Sequence, residues 1–288
     1  MLSVTTDYAT GTGSPEPYLR RIADAGFTHV HWCHQWNTDF LYDPAEIDQI
    51  ARWLRGYGLQ LLDLHGSDGQ EKAWGSPVEY QRLAGVALVK NRIAMAATLG
   101  SGVIIMHIPR VPIPAAGATG PAGESQTTEL GVALAPICRS LDALAPFASA
   151  HGVRIAIENM GYDDFGALRW LFARYGPDFL GLCYDAGHGN LGGRGLDHLE
   201  TVRDRLISIH LHDNDGSGDH HKLLFSGTVD WPRLAQIIAT SAYAGGIISM
   251  EVAMRQAGIE DEAEFLREAF RTGTVFSTMV EASAPQDG

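Results

Sequence analysis

The chain concentrates potential chemistry in Ile207 to His221, ISIHLHDNDGSGDHH, where four histidines and three aspartates crowd a short stretch. It opens as an apolar alternation, the pattern of a buried strand. It then releases His210, His212, Asp213, Asp215, Asp219, His220 and His221 into a loop containing Gly and Ser. Imidazole and carboxylate are the ligands that borderline and hard divalent cations select, so the density points to a metal site. Partners for such a site stand elsewhere. Apolar runs finish at His65, His107, Glu158, Asp185, His210 and Glu251. A carboxylate left unpaired at the end of a buried run is costly, and a cation removes that cost. Glu158 (IAIENM), Asp185 (LCYDAGH), His210 (ISIHLHD) and Glu251 (IISMEV) form the strongest subset. The bland alternative is a set of helix caps and surface ion pairs.

These residues need elements to hold them. The β-rich runs are Leu2–Thr6, Thr28–Cys33, Gln60–His65, Val103–His107, Arg154–Glu158, Phe179–Asp185, Leu206–His210 and Ile247–Val252. Several are nearly continuous apolar segments, as parallel strands covered on both faces should be. Between them, Leu83, Val86, Val89, Ile93 and Ala97 repeat at steps of three and four and predict one buried helix stripe. Leu134, Ile137, Leu141 and Leu144 do the same, with Pro136 predicting a late start or kink and Pro146 a distortion. Gly26, Gly58, Gly100, Gly152, Gly176 and Gly245 each stand where a helix should end before the next strand. Ser14-Pro15, Asp43-Pro44 and Asp230-Trp231-Pro232 mark helix starts. Eight such units predict a (β/α)8 TIM barrel as one domain over residues 1–280, with a flexible tail at 281–288. A doubly wound sheet is the runner-up. It wants a glycine-rich phosphate turn after the first strand, which GTGSPEP does not match. Pro109 to Thr128, rich in Pro, Gly and Ala, reads as an irregular lid, binding loop or subunit contact in a homo-oligomer.

In a barrel the C-terminal strand ends share one mouth, so the six ionisable ends should meet there. His188, three residues after Asp185, belongs to the same mouth. His65 and His107 divide evenly between substrate contacts and extra ligands. His29 and His31 alternate within strand two and could face either layer. His151 reads as a cation at a helix C-terminus and His198 as an exposed helix residue. Trp36 and Trp74 follow strands two and three, where each either walls a substrate pocket or packs inside.

Composition narrows the partners. Lys plus Arg total 21 against 34 for Asp plus Glu, a net charge of −13 that weighs against nucleic acid. No apolar run is long enough to span a bilayer, and the opening MLSVTTDYATG lacks a signal-peptide pattern. Cys33, Cys138 and Cys183 are few, scattered and set among apolar residues, which predicts reduced thiols in a cytoplasmic protein.

The ordered set ENM, YDAGH, HLHD and ISMEV resembles the xylose-isomerase-like TIM-barrel family, as do RLAGVALVKNRIAMAATLGSGVIIMH and SGTVDW. That family holds sugar and sugar phosphate isomerases and epimerases and, as the family 2 branch, zinc-dependent apurinic endonucleases. In the epimerase branch the resemblance implies one divalent metal on Glu158, Asp185, His210 and Glu251, commonly Mn2+, with Co2+, Mg2+ or Zn2+ as alternatives. It implies substrate contact by His188 and proton transfer by Glu158 and Glu251. In the endonuclease branch, positions matching His65, His107, His188, Asp219 and His221 would complete three zinc sites. The basic DNA-inserting loops of that branch are not matched, nor is the arginine some ketose epimerases carry after the strand-seven histidine. His212 and Asp213 are expected to hold the loop, with Asp219 and His221 as a separate D-x-H element.

The expected activity is isomerisation or epimerisation of a ketose or keto-sugar, through an enediolate held by the cation. Competing readings are a keto-sugar or inosose lyase or dehydratase, the endonuclease, and a catalytically silent sugar-binding barrel.

Overall fold

A computed structural model describes residues 1–9, 13–108 and 124–285, with the side chains of 124–128 left out. Eight parallel strands form one sheet: β1 (Leu2–Thr5), β2 (His29–Trp32), β3 (Gln60–His65), β4 (Val103–Met106), β5 (Arg154–Glu158), β6 (Leu180–Asp185), β7 (Leu206–His210) and β8 (Ile248–Met250). Their spatial order, β7-β6-β5-β4-β3-β2-β1-β8, follows the chain around a ring. A parallel bridge between Leu211 and Met250 brings the two ends of the sheet together. Leu211 donates its N–H to Ser249 at 3.0 Å and accepts that of Glu251 at 3.0 Å. The fold is the expected TIM barrel.

Ten helices alternate with the strands among the described residues: α1 (Glu16–Asp24), α2 (Pro44–Tyr57), α3 (Glu79–Thr98), α4 (Glu124–Ala133), α5 (Ala135–Ala150), α6 (Gly166–Arg174), α7 (Ala186–Asn190), α8 (Gly195–Val202), α9 (Trp231–Ala239) and α10 (Glu262–Ala282). Local chemistry sets their ends. Asp43 accepts the Glu46 N–H while the Glu46 side chain accepts that of Asp43, so α2 opens on a capping box. Asp230 and Asp261 cap α9 and α10 in the same way through one bond each. The main core fills the layer between strands and helices. A smaller cluster of Ile105, Ala156, Cys183 and Ile207 is separate from it.

Some details depart from the sequence reading. β4 and β8 stop at Met106 and Met250, so His107 and Glu251 lie just beyond their strands. Leu83 is exposed, because Arg82 takes the inward position and donates to Ser140 at 3.1 Å; Val86, Val89 and Ile93 do form the buried stripe. Pro136 stands at the start of α5, after a break at Leu134, and Pro146 is carried inside that helix. Glycines 26, 58, 100, 152 and 245 hold positive φ, as expected. Gly176 does not, since α6 ends at Arg174 and the chain turns extended at Tyr175. Ser14 accepts the Glu16 N–H at 3.3 Å, although Pro15 holds the cap position itself. The stretch expected to be irregular becomes helical at Glu124, and its residues 109–123 lie outside the described residues. α10 runs through Ala282, two residues into the expected tail, of which 286–288 lie outside the described residues. No helix among the described residues is long and apolar enough to cross a membrane.

Candidate metal centre

Alternation along parallel strands puts every second side chain on the inner surface, and the strand ends deliver those side chains to the mouth. Glu158 closes β5, Asp185 closes β6 and His210 closes β7, all buried. Glu251 follows β8 with its side chain 14% exposed. These four residues offer ligand atoms that all lie within 4.8 Å of one another. His210 Nδ1 is 2.9 Å from Glu251 Oε2 and 3.2 Å from Glu158 Oε2. Glu158 is the hub: His107 Nε2 stands at 3.2 Å, His188 Nδ1 at 3.2 Å and His65 Nε2 at 3.7 Å from its oxygens.

Burial disfavours charge on Glu158, Glu251 and His210, yet their neighbours outweigh it. The Glu158 carboxyl is held well below its ordinary range against burial by His210 and His107. Glu251 is lowered against burial by His210. His210 is raised well above the usual imidazole value, against burial, by Cys183, Glu251 and Glu158. His65 goes the other way, down to about 3, through burial and the adjacent His107. Both ring nitrogens of His210 are buried without a hydrogen-bond partner, despite the oxygens beside Nδ1. Those oxygens are near enough to attract but off the line of a ring hydrogen bond. Three carboxylates and an imidazole gathered around a common point fit a divalent cation. Cys183 also lies within 4.8 Å of Glu158 and His210. Burial pushes its thiol up to about 12, so it is not a ready thiolate.

A second group adjoins the first. His212, Asp219 and His221 offer ligand atoms within 4.8 Å of one another. Asp219 Oδ2 is 3.2 Å from His221 Nε2 and 3.3 Å from His188 Nε2. His212 Nε2 is 3.0 Å from Asp185 Oδ1, and its ring stacks on His221 at 4.0 Å. The D-x-H element thus forms its own donor set beside the strand-end cluster, and His212, 3.0 Å from Asp185 Oδ1, links the two. Gly187 of the DAGH motif is required here, because a Cβ would stand 1.9 Å from the His212 ring. Asp213 does hold the loop, accepting from Trp231 Nε1 at 2.9 Å and from the Val229 N–H at 3.2 Å.

Above these residues opens a cavity of about 510 Å³. Trp36 forms one wall, its ring 4.5 Å from that of His65 and 5.6 Å from that of His107. Trp74 is instead buried, donating to the His107 carbonyl at 3.1 Å.

A profile of the xylose isomerase-like TIM barrel family matches residues 19–269. The chain belongs to that family. It is 34% identical over 248 residues to the uncharacterised protein y4fM of Sinorhizobium fredii, covering 78% of this chain and 77% of the relative. Among solved structures it is similar to a D-tagatose 3-epimerase-like protein (TM-score 0.72, 19% identity, 98% and 97% of the two chains). It is also similar to an E. coli 3-keto-D-glucoside 4-epimerase (0.72, 19%, 96% and 99%) and to a D-psicose 3-epimerase determined with D-fructose (0.72, 18%, 97% and 99%). At these identities the structural likeness is one of fold.

Within this family barrel, the sequence-predicted residues Glu158, Asp185, His188, His210, Asp219, His221, Glu251, His65, His107 and Trp36 all meet at one end. His29 stays at the start of β2, bonded to Thr28 at 2.9 Å. His151 caps α5, stacking on Phe147, and His198 packs partly buried against Phe165 at 5.4 Å rather than standing free. The three cysteines are buried and unpaired. Sequence reasoning missed Asp7 and Tyr8, which line the cavity from the turn after β1, and Arg255, which lines it from a 3-10 turn at Met254–Gln256. It also left His31 unassigned and overlooked Asp63, which meet inside the barrel at 2.7 Å. The available signal was a lone acid inside the apolar run QLLDLH.

Proposed function

We propose that this protein is a divalent-metal-dependent sugar isomerase or epimerase acting on a ketose or keto-sugar. One observation carries the reading: two carboxylates, the buried Glu158 from β5 and the partly exposed Glu251 after β8, approach the same His210 nitrogen at the floor of an open cavity. Glu158, Asp185, His210 and Glu251 would hold the cation. Mn2+ is the favoured ion and Co2+, Mg2+ or Zn2+ are alternatives, since carboxylates and one imidazole suit this series. A cation there supplies Lewis-acid polarisation of a carbonyl, which acidifies the neighbouring C–H.

The chain's own groups move the proton. One glutamate, ionised, takes the proton from the carbon beside the carbonyl, and the other, having first taken a proton from solvent, returns it to the opposite face as the carboxylic acid. That division inverts the centre. If a single carboxylate both takes and returns the proton on adjacent carbons, aldose and ketose interconvert. His188 and His107, each 3.2 Å from Glu158, orient that carboxylate and stand ready to meet sugar hydroxyls. Trp36 offers an apolar face to the carbon skeleton and excludes water from one side. Ketoses such as D-tagatose and D-psicose, the sugars of the similar epimerases, are the substrates this geometry would suit. With wild-type protein and a panel of ketoses in deuterated water, solvent deuterium should enter the substrate. Glu251→Gln should abolish that exchange, and undiminished exchange would remove Glu251 from the reaction.

The adjoining His212, Asp219 and His221 group favours a second reading, a multinuclear centre of the endonuclease type. Metal content per purified chain separates the two. One ion supports the isomerase, whereas three zinc ions with cleavage of an abasic duplex support the nuclease.

A further inference from the structure

We propose that His31, on β2, supplies a further imidazole donor to the metal centre through Nε2, beside His210 and Glu251. The inference rests on the metal-dependent reading above and deepens it.

His31 is fully buried inside the barrel, one strand position below the mouth. Its Nδ1 lies 2.7 Å from Asp63 Oδ1, and Asp63 also accepts the Ser208 hydroxyl. A carboxylate oxygen at this distance is the acceptor, as its partner oxygen is for the Ser208 hydroxyl. The Nδ1 nitrogen therefore carries the hydrogen and donates it, leaving a lone pair on Nε2. That nitrogen is buried and has no partner among the described residues. A lone pair buried unsatisfied is unfavourable in a protein interior unless something occupies it. His31, His210 and Glu251 offer ligand atoms within 4.8 Å of one another, and the His31 and His210 rings are 4.3 Å apart.

The pattern is the one metal-bound histidines display: the far nitrogen donates to a carboxylate, which fixes the tautomer and raises the basicity of the near one. His210, the expected imidazole ligand, has no such hydrogen-bond partner on either nitrogen, whereas His31 has it. The backbone supplies a reason for the placement. The β2–β3 register shifts between Val30 and His31, and such irregularities re-aim the side chains beside them. A second imidazole among three carboxylates also favours Mn2+, Co2+ or Zn2+ over Mg2+, which prefers oxygen.

The test uses the full chain loaded with Cu2+ for electron spin-echo modulation, which counts coordinated imidazoles, and with Mn2+ for titration calorimetry. Relative to wild type, His31→Gln should lose one imidazole from the count and bind Mn2+ more weakly. Asp63→Asn keeps the ring but puts a neutral acceptor on Nδ1 in place of a charged one, which lowers the basicity of Nε2, and should weaken Mn2+ binding by about 10–100-fold. An unchanged imidazole count in folded His31→Gln overturns the proposal even if affinity falls, because that would be support of His210 from behind. If His31→Gln does not fold, the wild-type count decides: a single coordinated imidazole overturns the proposal, and two, together with the weakening in Asp63→Asn, sustain it. Failure of the wild type to bind any of these ions would overturn the metal-dependent reading as well, so the two failures are distinguishable.

Discussion

Asp213→Asn is the substitution whose cost the structure specifies most closely. Asp213 is fully buried at the bridge to Lys222, three residues past the end of β7. Its Oδ1 accepts the N–H of Asn214 at 2.9 Å and of Val229 at 3.2 Å, while Oδ2 accepts the Trp231 indole N–H at 2.9 Å. Gly227 lies against the same carboxylate, where a Cβ would come within 2.3 Å of Oδ1, so the ring of donors cannot relax outward on that side. Asparagine preserves the shape but has one acceptor oxygen. If its oxygen serves Asn214 and Val229, its NH2 faces the indole N–H. If it flips, the NH2 faces two backbone N–H groups. Either way at least one buried donor meets a donor. The loss of a charge-assisted bond, worth about 1.5–3 kcal/mol, plus an unsatisfied donor at about 1–3 kcal/mol, gives roughly 2.5–6 kcal/mol. At about 2–4 °C per kcal/mol for a chain of this size, the melting temperature should fall by roughly 5–24 °C. Trp231→Phe removes the indole donor and with it the clash, so the asparagine should cost less in that background, with a coupling of about 1–2 kcal/mol. Thermal melts by far-UV circular dichroism of the four proteins in chelator isolate this from metal binding. A drop below about 2 °C for Asp213→Asn, or strictly additive costs, would refute the reasoning.

Other outcomes follow from the same structure. Mn2+ at about 100 times its Kd should stabilise the wild type by about 2.7 kcal/mol, a rise of roughly 5–10 °C by differential scanning fluorimetry, and Asp185→Asn should abolish the rise. Arg92 is buried under Tyr42 and donates to the Phe40 carbonyl at 2.9 Å and to Asn91 Oδ1 at 2.7 Å. Arg92→Met orphans those acceptors and should cost about 2–4 kcal/mol, visible as a lower melting temperature; an unchanged one would contradict it. His221 is raised to about 10 by Asp219 and Glu251, against burial. In chelator-treated protein its contribution is complete below the unfolded imidazole value near pH 6.5 and is lost as pH rises through about 10. Stability should therefore fall across that window, and His221→Gln should flatten the fall; a parallel decline in the variant would assign it elsewhere.

The strand-end donors were legible because a parallel strand covered on both faces is an apolar run, and an ionisable residue closing it stands out. Glu158, Asp185 and His210 close such runs within their strands, and His107 and Glu251 follow theirs by one residue. Parallel order then carries all these ends to one mouth, whatever their separation along the chain. The helix beginning at Glu124 was less legible, since a Pro-, Gly- and Ala-rich approach masks a start that the packed barrel can still impose. Leu83 misled for a related reason: periodicity names a stripe, but the competing burial of Arg82 shifts its first turn.

What composition and period could not reveal is the second layer. Alternation places Asp63 two residues before His65, Cys183 two before Asp185 and Ser208 two before His210, so each mouth position has an inner companion. A sequence cannot say whether such a companion faces the barrel interior or the helices, because both are buried and both tolerate apolar residues. Here the inner layer carries His31, Asp63 and Ser208 bonded to one another. Two register irregularities fall beside it, between Val30 and His31 and between Leu182 and Cys183. Each re-aims the side chains that follow, and neither leaves a mark in the order of residue types. The identity of the mouth donors is thus a property of strand ends, whereas the depth to which the donor set reaches is a property of backbone register. That is why His31, whose alternation left its layer open, becomes a candidate ligand only once its neighbours are known.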